Sequence, residues 1–398
     1  MKILVHDYSG HAFPVQLSRW LAAQGNQVLH LYSADIESPR GNLSLSEGDP
    51  DGFAVTGLSV GRPLDKYNLL RRLADERAYG RLFADAIHDF HADVVLCSNT
   101  PPAIVKQAVR AAKATSARFV VWVQDLYSKA FDSYVRKRLG PLGRPASWYV
   151  RRVELGAIAS SDAIVVISDG FLPLLEAGGI ARSRVEVIEN WAPLNEVVPK
   201  PRGNDWAKEQ GLTDKFVFLY SGTLGLKHNP ALLSRLAERF RGDAGVRVVV
   251  VSQGLGRKFL EEEKAAKGLS NLVLLDYVRF DRLPEVLGSA DILVTILEPE
   301  AGVLSVPSKV LSYLCAGRSI LGAIPSENLA ARTILRAKAG AVADPRDMAA
   351  FIEAAVALHD DVEGRDAQGR SALAYANENF DIDRIGLRFI RIFQAGTS

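Results

Sequence analysis

Short runs of consecutive Val, Ile and Leu residues recur along the chain, and they restrict its fold more than any other feature. Each run is apolar on successive residues, which is typical of strands that helices bury on both faces. In the first half these runs span 2–6, 27–32, 93–97, 118–124, 162–168 and 185–188. Segments of helical period lie between them, at 14–24, 68–90, 101–115 and 146–160. The alternation predicts a doubly wound α/β unit with a parallel sheet.

The second half repeats this rhythm, and 398 residues are enough for two or three domains. Strand-like runs span 215–220, 246–252, 272–275, 291–296, 319–323 and 340–343. Helical segments span 229–241, 257–267, 308–316, 326–336 and 345–359. Proline-rich text without periodicity separates the halves. We therefore predict two Rossmann-like domains, 1–190 and 206–379, joined by a linker at 191–205, with ligands bound at the carboxyl ends of the strands in a cleft between them.

Composition excludes several classes of function. The net charge of +2 gives no overall attraction for nucleic acid. Cys97 and Cys315 have no partners at metal-ligand spacing, and no GxGxxG fingerprint follows the first strand, so we expect neither a metal site nor a nicotinamide cofactor. Only three apolar residues follow Met1 and Lys2, and no run approaches the length of a transmembrane helix. We expect a cytoplasmic protein.

Polar residues that follow strands of the first half are candidates for chemistry. Gly10 could let backbone approach a ligand phosphate, or it could form an ordinary tight turn. His6 and His11 are candidate bases, although a lone histidine is more often structural. Asp125 follows a buried strand, where it could orient or deprotonate an acceptor hydroxyl, or serve as a helix cap.

The turn after the first strand of the second half has the composition of an anion site. Ser221, Gly222, Thr223 and Lys227 precede a helix that begins near Pro230. Backbone N–H groups, hydroxyls and an ammonium in this order can bind a diphosphate. A plain turn is the alternative interpretation.

The same combination recurs downstream, between a strand and a helix. Gly302, Val303 and the N-cap candidate Ser308 can direct backbone donors toward an anion, and Lys309 adds a cation. Glu298 and Glu300 could bind sugar hydroxyls or form a solvated acidic turn. Val278, which follows a neighbouring strand, could contact a nucleotide base.

The segment 133–152 is basic, carries no acidic residue and contains interleaved aromatic residues. Its candidate contacts are Arg136, Lys137, Arg138, Trp148 and Arg151. This combination suits an anionic membrane surface or a lipid diphosphate, whereas a solvated basic face is the alternative.

These features together resemble glycosyltransferase family 4, particularly its bacterial branch for capsule, colanic-acid-like and O-antigen polysaccharides. The resemblance covers almost the whole chain and is strongest at 6–20, 190–193, 220–230 and 298–332, including the text VPSKVLSYLCAGRSIL. It implies a GT-B fold and a metal-independent, retaining transfer from a nucleotide sugar, most often UDP-linked. It also implies that the second half holds the donor and the first half the acceptor, and that a closing helix at about 380–398 returns to the first domain.

The resemblance also assigns residues. It places Gly10 against the donor diphosphate, and it places Thr223 and Lys227 where the family has a basic pair, although arginine is common at the position of Thr223. Ser312 stands where the second, ribose-binding glutamate of the family's pair normally lies. The first falls near Leu304, or on Glu300 if the loop is longer. Many members have a histidine near Asp125, which this chain lacks.

We therefore expect a retaining transferase that moves a sugar from a nucleotide sugar to a polyprenyl-diphosphate-linked saccharide. The donor is expected to be UDP-linked and to carry an N-acetylated or deoxy amino sugar. The site of action would be the cytoplasmic face of the inner membrane, with peripheral contact. Two alternatives remain open: a nucleotide-sugar 2-epimerase of the same fold, and a non-catalytic nucleotide- or lipid-binding subunit of a polysaccharide assembly complex.

Overall fold

The computed structural model describes residues 1–36, 40–63, 69–225, 228–299 and 307–395, except for the side chains of 69, 70, 130, 133, 134 and 137–139. The chain divides into two compact units. Unit 1 comprises Met1–Glu189 and Ile382–Ser398, and unit 2 comprises Asn190–Asp381.

Unit 1 is built on a seven-stranded parallel sheet in the order β3-β2-β1-β4-β5-β6-β7. Its strands are β1 (Lys2–Asp7), β2 (Gln27–Ser33), β3 (Phe53–Leu58), β4 (Val94–Ser98), β5 (Arg118–Val123), β6 (Ala163–Val166) and β7 (Val185–Val187). Its helices, in chain order, are α1 (Ala12–Ala23), α2 (Leu69–Phe90), α3 (Pro102–Ala114), α4 (Tyr127–Leu139), α5 (Arg144–Ala159) and α6 (Leu172–Glu176). Successive residues of β1 and β4 are buried, because helices cover both faces of the sheet.

Unit 2 has a six-stranded parallel sheet in the order β10-β9-β8-β11-β12-β13. The strands are β8 (Phe216–Ser221), β9 (Val246–Val251), β10 (Leu272–Leu275), β11 (Ile292–Ile296), β12 (Ser319–Ala323) and β13 (Gly340–Ala343). The helices are α7 (Asp205–Glu209), α8 (Ala231–Arg239), α9 (Leu255–Lys267), α10 (Leu283–Gly288), α11 (Lys309–Ala316), α12 (Leu329–Arg336), α13 (Met348–Asp360) and α14 (Val362–Asn379). The prediction of two doubly wound parallel units is confirmed.

The last helix, α15 (Ile382–Gln394), belongs to unit 1 although unit 2 precedes it in the chain. The indole Nε1 of Trp20 donates to Asp383 Oδ1 at 2.6 Å. Gly386 lies so close to that indole that a Cβ there would be 2.3 Å from the ring. Phe389 is fully buried beside Trp122. This helix therefore completes the apolar core of unit 1.

The segment predicted as a linker, 191–205, lies within unit 2, and its residues 200–204 are bonded to the rest of that unit. Arg202 forms an ion pair with Asp291 at 3.0 Å, and Arg318 donates to the carbonyl of Lys200 at 3.0 Å. The side chain of Asn204 caps α7 by accepting from the backbone N–H of Ala207. Side-chain and backbone hydrogen bonds thus hold this segment against the sheet of unit 2.

Candidate functional site

The turn that follows β8 is held in a fixed shape by buried aromatic side chains. Gly222 has φ +132, which favours glycine, and its N–H donates to the carbonyl of Val251 at 3.0 Å. The N–H of Ser221 donates to the hydroxyl of Tyr313, which projects from α11, at 3.0 Å. The hydroxyl of Tyr220 donates to the carbonyl of Thr223 at 2.9 Å. These hydrogen bonds fix the backbone of the turn.

Lys309 places an ammonium group against this turn. Its Nζ lies 3.6 Å from the centroid of the Tyr220 ring, and a Cβ on Gly222 would be 3.0 Å from the same nitrogen. Nζ is shielded from solvent and has no hydrogen-bond partner within the described part of the chain. Burial lowers the pKa of Lys309 well below its ordinary value. The face of an aromatic ring stabilises a cation only partly, so an anion at this position would supply the missing interaction.

Of the other predicted donor contacts, Thr223 lies in this turn, Val278 follows β10, Glu298 follows β11 and Ser312 lies in α11. Thr223 is exposed, and its Oγ1 accepts from the hydroxyl of Tyr277 at 2.7 Å. Val278, Ser312 and Glu298 are half-buried. Their exposed surface leaves them accessible from solvent.

Ser308 occupies the N-cap position of α11, but its side chain makes no capping hydrogen bond. Its backbone is already helical, with φ −58 and ψ −24, so the hydroxyl is not in the extended geometry of a typical cap. Lys227, Glu300, Gly302 and Val303 lie outside the described residues.

In unit 1, β1 ends at a buried carboxylate. Asp7 is fully buried, and its Oδ2 accepts from the backbone N–H of His11 at 2.5 Å and lies 3.1 Å from His11 Nδ1. Burial alone would raise the pKa of Asp7, but the charge and hydrogen bonds of His11 hold it below its ordinary value. Burial likewise opposes the protonated form of His11, but the Asp7 carboxylate raises the pKa of His11 above its ordinary value. Because His11 Nδ1 faces Asp7, Nε2 is the ring nitrogen that can contact a group outside this pair.

Two other residues near the end of β1 are occupied by contacts within unit 1. Gly10 has φ +72 and is buried, and a Cβ there would lie 2.7 Å from Leu43 Cδ1. The close contact that requires glycine at position 10 is therefore a contact with Leu43 of the same unit. His6 contacts Thr100 and Tyr79 through its two ring nitrogens, at 3.0 and 2.9 Å, and burial lowers its pKa to about 3. His6 is a neutral core residue.

Asp125 is exposed at the carboxyl end of β5, beside a small cavity that Gln124 and Asn99 also line. Asn99 has φ +48, and its side chain donates to Ser9 Oγ at 2.6 Å. These polar groups, drawn from the ends of three neighbouring strands, form a surface on which sugar hydroxyls could be bound.

The helix α4, which follows Asp125, is capped from a distant position. Glu154 of α5 is buried, and its carboxylate accepts from the N–H groups of Tyr127 at 2.7 Å and Ser128 at 3.1 Å. Burial raises the pKa of Glu154 despite these hydrogen bonds. The sequence alone does not reveal the roles of Glu154, Asp7, Tyr220 and Tyr313, because these residues are buried and resemble ordinary core positions.

The basic segment 133–152 comprises the end of α4, a short 3-10 turn (Gly140–Gly143) and the start of α5. Arg136 forms an ion pair with Asp132 at 2.9 Å, Arg151 is exposed, and Trp148 is 62% exposed. Lys137 and Arg138 belong to α4, but their side chains lie outside the description.

Among the helices that the structure describes, none is long and apolar enough to cross a membrane. Within the same residues, no group of three or more His, Cys, Asp and Glu side chains is placed to hold a metal ion.

Comparison with protein families gives two adjoining matches. Residues 11–191 match the Glycosyl transferase 4-like domain, and residues 215–361 match Glycosyl transferases group 1. The chain is also 26% identical over 209 residues to WcaI of Escherichia coli (strain K12), which is named for colanic acid biosynthesis glycosyl transfer. That match spans about half of each protein, 52% of this chain and 51% of WcaI.

Solved structures show the same fold at low sequence identity. HepE of Anabaena in complex with UDP-glucose has a TM-score of 0.73 and 14% identity, covering 99% of this chain and 100% of HepE. WaaG, a glycosyltransferase involved in lipopolysaccharide biosynthesis, has a TM-score of 0.68 and 16% identity, covering 100% of both chains. The predicted GT-B fold is confirmed.

Proposed function

Because the chain belongs to glycosyltransferase family 4, we propose that it transfers a sugar from a nucleotide sugar to a saccharide acceptor during bacterial surface polysaccharide synthesis. The observation that carries this proposal is the buried Lys309 ammonium beside Gly222. A cation buried without an anion is unfavourable, and the donor diphosphate is the anion that this chemistry brings to the end of β8. The flexible lysine stem allows Nζ to move from the Tyr220 ring to a phosphate oxygen.

Lys309, which lies beside the Ser221–Thr223 turn, would stabilise the charge that develops on the leaving nucleoside diphosphate. Charge stabilisation by preorganised donors is usually the largest contribution to such a reaction. Contacts of the same diphosphate with Lys227, Gly302 and Val303 remain predictions from the sequence. Contacts of the nucleoside with Val278 and Ser312 remain predictions as well. Because protein groups neutralise the diphosphate, we propose that transfer needs no metal ion and proceeds at full rate in EDTA.

We propose a UDP-linked donor and retention of configuration, as the family resemblance implies. The fold shared with HepE, whose structure contains UDP-glucose, is consistent with the donor class. A front-face retaining reaction needs no enzymatic nucleophile. In this scheme Glu298 and Glu300 contact the donor sugar, while Asp125 and His11 contact the acceptor hydroxyl.

For the acceptor, we propose a polyprenyl-diphosphate-linked saccharide, used at the cytoplasmic face of the membrane. Arg136, Arg151 and Trp148 support this proposal, because cations beside an exposed indole suit an anionic lipid head group.

Calorimetry with UDP, GDP and ADP is the first test. We expect UDP to bind more tightly than the other two nucleotides, and we expect binding to persist in EDTA. Incubation with a panel of UDP-sugars, with and without polyprenyl-diphosphate saccharides, then tests transfer. Formation of an epimeric sugar nucleotide without acceptor would contradict transfer and identify an epimerase. Nucleotide binding without turnover across the panel would identify a binding subunit.

A further inference from the structure

A cavity of about 370 Å³ lies in unit 1, beside the helices that follow β5. Residues of α4, α5 and α6 line it, and we call it the α4–α5 pocket. The lining residues are Leu126, Ser128, Lys129, Asp132, Arg136, Arg144, Ser147, Trp148, Arg151, Leu155 and Leu174. Its volume lies at the lower end of the range for ligand pockets, so it suits a head group rather than an extended chain.

The charges around the pocket are unbalanced. Four cations line it, Lys129, Arg136, Arg144 and Arg151, against the single carboxylate of Asp132. Asp132 pairs with Arg136 at 2.9 Å. Lys129, Arg144 and Arg151 form no ion pair within the part of the chain that the structure describes, and all three are exposed. Three cations are therefore available to an anion. Two of them are guanidinium groups, each of which can bind two phosphate oxygens at once.

The N-termini of α4 and α5 differ, and the difference favours an anion in this pocket. At the N-terminus of α4, Glu154 already accepts from the backbone N–H groups. The N-terminus of α5, which begins at Arg144, has no side-chain cap and no acidic residue in its first turn. Its partial positive charge adds to that of the cations.

Apolar groups stand beside this anion-binding chemistry. Leu126, Leu155 and Leu174 line the pocket. Trp148 and Tyr149 are 62% and 64% exposed, and Leu142 on the connecting turn is 85% exposed. An anionic head group with an apolar chain matches this arrangement better than a free anion does, because exposed large apolar side chains next to cations suit an amphipathic ligand.

We infer that the α4–α5 pocket binds the diphosphate head group of a prenyl-diphosphate-linked acceptor, with the exposed Trp148, Tyr149 and Leu142 against its hydrocarbon chain. This inference rests on the proposed transferase function and gives its acceptor a location. Arg144 and Arg151 contact the phosphate oxygens in this assignment, and Lys129 adds charge.

Farnesyl diphosphate is a soluble probe for this site. The other four tryptophans, Trp20, Trp122, Trp191 and Trp206, are buried, so a change in indole fluorescence on titration reports on Trp148. We expect farnesyl diphosphate to bind the wild-type protein. The double variant Arg144→Gln/Arg151→Gln should bind about 100-fold more weakly, at about tenfold for each charged contact removed. The double variant Arg81→Gln/Arg110→Gln, which loses the same charge from exposed positions on α2 and α3, should bind like wild type.

Inorganic diphosphate and vesicles containing phosphatidylglycerol distinguish the sources of the anion. Binding of inorganic diphosphate as tight as that of farnesyl diphosphate would overturn the prenyl assignment. Arginine-dependent binding of vesicles without binding of farnesyl diphosphate would also overturn it, in favour of a membrane surface. Unchanged affinity in Arg144→Gln/Arg151→Gln would exclude the pocket.

UDP binding, measured on the same samples, separates this inference from the proposed function. UDP binding in a protein that does not bind farnesyl diphosphate overturns the pocket assignment alone. If the wild-type protein binds neither UDP nor farnesyl diphosphate, the proposed function is overturned as well.

Discussion

The first strand of each unit ends in a turn that contains a glycine of positive φ, yet the two turns carry opposite charges. At the end of β1, the buried Asp7 carboxylate is bonded to the backbone and the imidazole of His11. At the end of β8, the buried Lys309 ammonium lies beside the Tyr220 ring. It has no hydrogen-bond partner among the residues that the structure describes. Among the residues that the structure describes, the Asp7 carboxylate therefore has a partner, whereas the Lys309 ammonium has no anionic one.

We propose that this difference decides which turn receives which substrate. A buried, unpaired charge destabilises a protein and persists where a ligand completes it, whereas a paired charge needs no further partner. A diphosphate fits the turn with the unpaired cation. A neutral hydroxyl fits the turn where His11 presents a nitrogen held by Asp7. Four variants test this contrast.

Lys309→Met should have the largest effect. Loss of a charged contact to phosphate costs about 2–3 kcal/mol, so UDP affinity should fall about 30- to 150-fold in calorimetry. Without UDP, the variant should be at least as stable as wild type in denaturant unfolding, because an unpaired buried charge is removed. Lys338→Met, an exposed lysine of unit 2, is the control for charge. Normal UDP affinity in Lys309→Met would remove the contrast between the two turns.

The lowered pKa of Lys309 adds a pH signature to the same variant. Between its folded pKa and the ordinary value of 10.5, the native state binds fewer protons than the unfolded state, so stability without UDP should rise with pH. UDP binding should take up a proton in that range, which calorimetry in buffers of different ionisation enthalpy measures. Both signals should be absent in Lys309→Met.

Asp7→Asn should have the next largest effect, on stability rather than on UDP binding. Removing the charged acceptor should cost about 1.5–3 kcal/mol in urea unfolding. The Asp7 contribution is lost as pH falls through its lowered pKa, and the His11 contribution is lost as pH rises through its raised pKa. The cost should therefore be greatest between about pH 4 and 6.5, the ordinary pKa values of the two groups. Asp51→Asn, at an exposed position, is the control, and a cost independent of pH would contradict the ion pair.

Glu154→Gln should cost about 1–2 kcal/mol of stability, because an amide replaces the carboxylate that caps α4. UDP affinity should not change, since this anion already has its partners within unit 1. Burial raises the pKa of Glu154, so the native state binds more protons above the ordinary value of 4.5, and the wild-type advantage should shrink as pH rises. Glu176→Gln on α6 is the matched exposed control. A large loss of UDP binding would contradict the assignment of Glu154 to local structure.

Tyr277→Phe should have the smallest effect. It removes the hydrogen bond to Thr223 Oγ1, which lies at an exposed position, and should weaken UDP binding by about 0.5–1 kcal/mol, or two- to fivefold. Tyr149→Phe in unit 1 should leave UDP binding unchanged. A loss above about tenfold would instead place the Tyr277 hydroxyl directly on the nucleotide.

The sequence predicted the parallel sheets because consecutive apolar residues leave few other arrangements, and the run at 340–343 coincides with β13. It missed β3, where Ala54 is exposed and Gly57 interrupts the apolar text, because an edge strand need not be buried on both faces. It also missed α4, whose N-terminus is capped by Glu154 from the next helix rather than by a neighbouring residue.

The sequence predicted only part of the candidate site, because several of its contacts join residues that are far apart in the chain. Lys309 was expected as an added cation because it follows Pro307 and Ser308 before a helix. Its contact with Tyr220 joins two positions far apart in the chain, and nothing in the local text indicates that the lysine is buried. The partners Asp7 and Tyr313 were missed because buried polar residues at strand ends and in helices look like ordinary core residues.

The return of α15 to unit 1 has a consequence for biosynthesis. During translation, the Trp20 indole and the neighbouring face of unit 1 stay uncovered until Gly386 and Phe389 leave the ribosome. Unit 2, residues 190–381, must be synthesised first, which takes about 10–40 s at typical bacterial and eukaryotic elongation rates. Unit 2 can therefore fold before unit 1 is complete, and a nascent chain stalled before Ile382 would present an unfinished apolar surface to chaperones.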